Sequence, residues 1–101
     1  MKAIYDMTNE LPKTESYGLS SQMQRAAVSI PSNIAEGYAR KGTGEYLRFL
    51  SMAYGSAAEL ETQLIIIKQE YPKIIIDTGQ SLLTEVQKML YGLMRRLRTD
   101  S

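Results

Sequence analysis

Residues 44–70 read GEYLRFLSMAYGSAAELETQLIIIKQE, a proline-free run in which apolar residues recur every three or four positions. That recurrence is the spacing of an α-helix. It forms two stripes, which are Leu47, Leu50, Tyr54, Ala57 and Leu64, and Phe49, Ala53, Ser56, Leu60 and Ile67. Because a helix that is apolar on two faces is buried on two faces, we predict a long helix that packs on both of them. One face packs in a small helical bundle, and the other meets another subunit.

The preceding segment predicts a second long helix over about residues 20–39. Its apolar stripe consists of Leu19, Met23, Ala27, Ile30, Ile34 and Tyr38. Ser21 with Gln24 fits a capping box near the start of this helix. Pro31 lies in the middle, where proline removes one intrahelical hydrogen bond and clashes with the preceding turn. Because the stripe continues in phase on both sides of Pro31, we predict a kink rather than a break.

Two outer segments complete the helical pattern. Residues 2–11 predict a short or truncated first helix, and residues 78–98 predict a long fourth helix. The fourth stripe consists of Leu82, Val86, Met89, Leu93 and Leu97, widened by Leu83, Leu90 and Met94. The isoleucines at 74–76 have no partner strand, so we expect a loop or an extra helical turn there. The sequence therefore predicts an all-α, antiparallel up-and-down four-helix bundle, in which residues 1–101 form one domain.

Composition limits the functions that this chain can perform. Its 101 residues include no Cys and no His, and 12 basic against 11 acidic residues give a net charge of +1. Disulfides, thiol nucleophiles, Cys or His zinc sites and histidine-based acid–base catalysis are therefore excluded. The near-neutral charge argues against a globally basic nucleic-acid binder but not against a local basic patch. We expect a non-enzymatic protein that uses no cofactor.

The sequence also bears on location. Its longest apolar runs are far shorter than the roughly 20 residues that span a bilayer. Asp6 and Glu10 interrupt the N-terminal segment, which lacks the apolar region of a signal peptide. We expect a cytoplasmic protein that does not contact a membrane.

The carboxylates considered as a candidate metal site are Glu36, Glu59 and Glu61. Helical bundles that bind two metal ions pair inward glutamates with histidine, and none is present here. Glu59 and Glu61 also point about 200° apart on a helix. A structural role is the better interpretation. Since Glu61 lies in an apolar stripe, we expect it to find a buried cation, and the available cations are Arg25, Arg40 and Arg48.

The second helix carries a polar face that consists of Gln22, Arg25, Ser29, Ser32, Asn33 and Glu36. It is either a solvated face or a polar interface between helices or subunits, in which hydrogen bonds set the register. A catalytic role for Ser29 or Ser32 lacks a histidine base. The candidates for polar packing or an interface are Arg25, Ser29, Asn33, Glu36, Glu59 and Glu61.

Basic residues form two clusters along the chain. Arg40 and Lys41 precede Gly42, in a loop whose composition suits an anion. A second cluster lies in the last turn of the fourth helix, where it either complements the helix dipole or contacts nucleic acid. Antiparallel geometry brings both clusters to the same end of the bundle. The candidate nucleic-acid-binding residues are Arg40, Lys41, Arg48, Arg95, Arg96 and Arg98.

Three sequence runs carry a family resemblance. They are YGLSSQMQRAAVSIPSNIAEGY at 17–38, EYLRFL at 45–50 and GSAAELETQL at 55–64. In this order and spacing they closely resemble the bacterial four-helix-bundle family named for the 23S rRNA intervening-sequence protein. Members of that family usually begin with a full first helix, whereas Met1 here lies well inside it, so a short first helix or a start set too late is expected.

The resemblance implies partners that the residues alone do not. It implies assembly into a homopentameric ring, and kinship with the accessory protein of diversity-generating retroelements. That relative is a basic ring that binds nucleic acid and a reverse transcriptase. We therefore expect a homo-oligomer that binds RNA or DNA, with a reverse transcriptase or another protein as a further partner. The alternative is a structural or protein-interaction module with no nucleic-acid role.

Overall fold

The computed structural model describes residues 2–15 and 18–100. Tyr17, the first residue of the run that carries the family resemblance, lies outside these residues. The helices are α1 (Lys2–Thr8), α2 (Leu19–Ala39), α3 (Thr43–Glu70) and α4 (Asp77–Asp100), with a short 3-10 turn at Lys13–Glu15. The described residues contain no strand, and the isoleucines at 74–76 lie in the loop before α4. The predicted all-α four-helix fold is therefore confirmed.

The helices contact one another in a closed order. The α3 helix packs against both α2 and α4, and α1 packs against α2 and α4. Gly37 meets Phe49, whereas Ser29 meets Ser56, so α2 and α3 run in opposite directions. The long α3 helix thus serves as the central element of α2, α3 and α4.

The two stripes of α3 bury side chains completely. The residues with 0% exposure are Leu50, Ala53, Ala57, Leu60, Leu64 and Ile67, and they come from both stripes. These stripes are neighbouring columns that merge into one wide surface against the other helices, rather than two opposite faces. The outer side of α3 keeps Met52, Ile65 and Ile66 40–47% exposed.

The predicted main stripe of α4 lies at the edge of the core, where Val86, Leu93 and Leu97 are partly buried against it. Leu83 and Leu90 are buried, whereas Leu82 is 49% and Met89 66% exposed. The α1 helix lies along the start of α4, where Leu82 lines the same groove as Met7 and where a Cβ built at Gly79 would lie 2.8 Å from the Met7 Cε.

The helix ends also differ from the sequence interpretation. The α1 helix ends at Thr8 rather than at residue 11, because the chain turns through a bond from the Leu11 N–H to the Thr8 carbonyl. The α2 helix begins at Leu19 and has no side-chain cap, so the capping box is wrong. Gln24 instead donates its amide to the Thr8 hydroxyl at 2.9 Å, which ties α2 to α1.

The α2 helix continues through Pro31, as predicted, because its apolar residues pack on both sides of the proline. The bend expected at Pro31 stays a prediction. At the far end of α2 the stripe leaves the core, since Tyr38 is 78% exposed while Ile30 is buried. Tyr38 therefore belongs to the surface and not to the buried stripe.

Gly37 sets the distance between α2 and α3. A Cβ atom at this position would lie 2.7 Å from the Phe49 Cβ and 3.0 Å from the Tyr46 Cδ1. Real Cβ atoms do not approach this closely, so any larger residue forces the two helices apart. The absence of a side chain at Gly37 is thus a requirement of this packing.

Replacing Gly37 with alanine is expected to lower the free energy of unfolding by about 2 kcal/mol. Overpacking costs roughly 1–3 kcal/mol, and the upper end applies because the Phe49 Cβ is fixed to the backbone. Alanine's higher helix propensity offsets only about 1 kcal/mol. Urea denaturation followed by circular dichroism measures the change.

The matched control is Gly92→Ala, because a Cβ at Gly92 meets nothing within 4 Å. The free energy of unfolding of this variant should rise by about 0.5–1 kcal/mol from helix propensity alone. An equal gain in both variants would contradict the close approach at Gly37.

Candidate nucleic-acid interface

The candidate cations lie at one end of the bundle. Arg40 and Lys41 follow the last residue of α2, and Arg48 lies near the start of α3. The Ser51 hydroxyl contacts the Met94 Sδ at 3.6 Å. This contact sets the start of α3 beside the end of α4, so Arg95, Arg96 and Arg98 lie at the same end as Arg48.

Arg40 and Arg48 each have a carboxylate partner within their own helical segment. The Arg40 Nη2 lies 2.6 Å from the Glu36 Oε1, and the Arg48 Nη2 lies 3.2 Å from the Glu45 Oε2. All four side chains are about half exposed, at 48–57%. Ion pairs in such surroundings contribute at most about 1 kcal/mol, so a phosphate can displace either carboxylate at low cost.

Both guanidinium groups also lie over one aromatic ring. The Arg40 Cζ is 5.1 Å and the Arg48 Cζ 4.6 Å from the centroid of Phe49. These distances are within the range of cation–π attraction, which holds the two side chains near the ring. The apolar stripe predicts that Phe49 belongs to the core alone. Nothing in the sequence indicated the ring's second role, because Arg40 reaches it from the loop after α2.

Three other candidates have no competing carboxylate. Lys41, Arg95 and Arg96 are exposed, and no carboxylate of the described residues lies within ion-pair distance of them. Arg98 is exposed as well and engages in a contact of its own. The end of the bundle therefore combines paired arginines at the α2–α3 corner with unpaired cations beside them.

The polar face of α2 makes a direct hydrogen-bonded contact with α3. The Ser56 hydroxyl donates to the Ser29 Oγ at 2.8 Å, and the Asn33 amide donates to the same Oγ at 2.9 Å. The Asn33 amide also lies 2.8 Å from the Ser29 carbonyl oxygen. Ser29 thus joins two helices through a hydroxyl that accepts twice.

The remaining polar candidates lie beside this contact. Arg25 and Glu59 face each other across a shallow groove of about 250 Å³ between α2 and α3. The Gln63 amide donates to the Glu59 Oε1 at 3.3 Å, and the Gln63 Oε1 is buried without a partner. Glu59 is therefore held by its own helix and not by an arginine.

The prediction that Glu61 has a buried cation as its partner is wrong, because Glu61 is exposed on α3. Its stripe position lies at the margin of the buried surface, where the carboxylate reaches solvent. Glu36 pairs with Arg40 and is separate from the other two glutamates. Within residues 2–15 and 18–100, no three acidic residues come together in a way that could hold a metal ion.

No helix in those ranges is long and apolar enough to cross a membrane.

The chain matches one family of known proteins in the comparisons made. A family model described as 23S rRNA-intervening sequence protein matches residues 1–92. No curated protein matches the chain at a significant level. The matched range includes Arg40, Lys41 and Arg48, whereas the arginines of the last α4 turn follow it.

Replacing Ser29 with alanine is expected to lower the free energy of unfolding by about 1–2 kcal/mol. The change removes the acceptor for Ser56 and Asn33, and each hydrogen bond contributes about 0.5–1.5 kcal/mol. Ser32→Ala on the exposed side of the same helix is the control, with an expected change within about 0.5 kcal/mol. Equal effects in denaturant titrations would show that the Ser29 contact does not stabilise the α2–α3 packing.

Proposed function

The chain belongs to the family of 23S rRNA-intervening sequence proteins, and from this we propose that it is an oligomeric, non-enzymatic scaffold that binds nucleic acid. The observation that carries the proposal is the collection of cations at one end of the bundle. Half of the 12 basic residues lie within residues 40–48 and 95–98. The net charge of the whole chain is only +1, so the asymmetry comes from placement and not from composition. We assign the scaffold to the bacterial cytoplasm.

The chemistry of this end suits phosphate rather than a catalytic step. Exposed lysine and arginine groups neutralise backbone phosphates without regard to sequence. Arg40 and Arg48 are already held over Phe49 in the isolated chain, so little side-chain conformational freedom is lost on binding. The binding of structured RNA or duplex DNA at this end would be salt-dependent.

Self-association supplies the repetition that a modest patch needs. The outer side of α3 exposes Met52, Ile65 and Ile66, and a Cβ at Gly55 meets no atom within 4 Å. Small residues between exposed apolar ones let a neighbouring helix approach closely. A second copy is the occupant that we propose for this face, in a pentameric ring as the family resemblance implies. Repeating the cationic end around a ring raises avidity above the affinity of one patch.

A second candidate function is a structural or protein-interaction module without a nucleic-acid role. The specific observation in its favour is apolar exposure on α4, where Leu82 is 49% and Met89 66% exposed. A reverse transcriptase or another protein would then cover this column. The two functions differ in salt dependence, because apolar contacts weaken little as salt rises.

Replacing Arg95, Arg96 and Arg98 with alanine is expected to weaken binding to structured RNA and to duplex DNA. For duplex DNA, the log–log slope of affinity against salt should flatten by about 0.9 for each phosphate that the variant no longer neutralises. Fluorescence anisotropy over a salt series measures the slope, and light scattering checks that assembly is retained.

The matched control replaces Lys13, Lys68 and Lys73, which are exposed at the opposite end, with alanine. It removes the same amount of charge as the triple arginine variant. Because the three lysines lie away from the proposed binding end, the salt slope of this control should equal that of the parent. Equal flattening in both variants would show that total charge, not the proposed end, governs binding. No binding by the parent at low salt would leave the protein-interaction module as the function.

Replacing Ile66 with glutamate is expected to reduce the oligomer to smaller species, because a charge would be buried between α3 helices. Ile75→Glu is the control, since Ile75 is 76% exposed in the loop before α4. Light scattering at micromolar concentration measures the mass of each. A monomeric parent would contradict the proposed assembly.

A further inference from the structure

A shallow groove runs along the outer junction of α3 and α4, apart from the α2–α3 corner. Its volume is about 260 Å³, and it is lined by Tyr54, Thr84, Gln87, Lys88 and Tyr91. Tyr91 is 57% and Tyr54 37% exposed, so each side chain presents part of its surface to solvent. Pockets that enclose small molecules measure about 300–1,000 Å³. This groove is smaller and open, which suits one flat group lying against a ring.

Cations flank the exposed rings at helical spacing. Lys88, Tyr91 and Arg95 are three and four residues apart on α4, so they share one face. No carboxylate of the described chain lies within ion-pair distance of Lys88 or Arg95. Arg40 and Arg48, by contrast, already hold glutamates. The face of α4 thus alternates unpaired positive charge with an aromatic ring.

We propose that this groove binds single-stranded nucleic acid, with an unpaired base stacked on Tyr91 beside Tyr54 and the adjacent phosphates on Lys88 and Arg95. The inference rests on the nucleic-acid binding proposed above and adds the form that is bound. Aromatic platforms with flanking cations recognise single strands because every base offers a stacking face. Bases inside a duplex are already stacked on one another and cannot lie on the ring.

A second copy of the chain fits this groove less well than a nucleic acid does. The cations at Lys88 and Arg95 would be buried without a carboxylate from the groove itself, which is unfavourable. The outer side of α3, with Met52, Ile65 and Ile66, offers an apolar surface for self-association instead. A polyanion with flat apolar bases complements both the charge and the rings.

The test compares Tyr91→Ala, Tyr91→Phe and the parent in the full chain. The probes are a labelled single-stranded RNA of about 16 nucleotides and an RNA duplex of the same length. Tyr91→Ala should weaken single-strand binding roughly 5- to 100-fold, as the loss of one stacking platform does. Tyr91→Phe should keep parental affinity, and duplex binding should not change in either variant.

Two further measurements separate stacking from charge. Tyr91→Ala should leave the salt slope for the single strand unchanged, because every cation is retained. Lys88→Ala should reduce that slope by about 0.7, the contribution of one phosphate on a single strand. Tyr5→Ala is the matched aromatic control, because Tyr5 is 39% exposed on α1, away from this groove. Its single-strand affinity should equal that of the parent.

The outcomes distinguish this inference from the proposed function. If the parent binds neither RNA at low salt, both fail together. If the parent binds both but Tyr91→Ala does not change single-strand affinity, the inference is overturned and the proposed function stands. If Tyr91→Ala changes the mass in light scattering, the groove is an interface between copies, and the inference is overturned as well.

Discussion

The close approach of α2 and α3 at Gly37 governs the end of the bundle where the cations lie. With no Cβ at this position, Phe49 and Tyr46 pack directly against the α2 backbone. That contact holds the Phe49 ring at the corner, where the guanidinium groups of Arg40 and Arg48 lie over it. A larger residue at Gly37 would separate the helices and move the ring away from Arg40. One absent side chain therefore links core packing to the arrangement of surface charge.

The short α1 helix makes only limited contacts with the rest of the bundle. It contacts α2 and α4 over only about two turns, through Met7 against Gly79 and through the bond from Gln24 to Thr8. On α4, Leu82 and Met89 are partly exposed to solvent. The bundle thus has exposed apolar residues on α4 as well as a cationic end, and the two proposed functions rest on these different surfaces.

Charge in this protein works through position. Surface pairs such as Glu36 with Arg40 contribute little to stability, so they leave the arginines available to a stronger anion. Arg95 and Arg96 on α4 hold no carboxylate of the described residues, so no such exchange is needed there. The Ser29 contact with Ser56 fixes the register of α2 on α3 by directional hydrogen bonds, which apolar contacts alone do not provide. Register in turn sets which cations lie side by side.

The sequence by itself determined the four helices and the continuation of α2 through Pro31, because these follow from local apolar periodicity, which stays in phase on both sides of the proline. It also determined that no cysteine or histidine chemistry is available. Only the tertiary structure decided that Leu83 and Leu90, not Leu82 and Met89, face the core. Adjacent columns of a helix are equally apolar in sequence, and the position of the neighbouring helices selects between them. The contact of Arg40 with Phe49 was decided in the same way, since the end of α2 and the α3 helix become neighbours only when the helices pack.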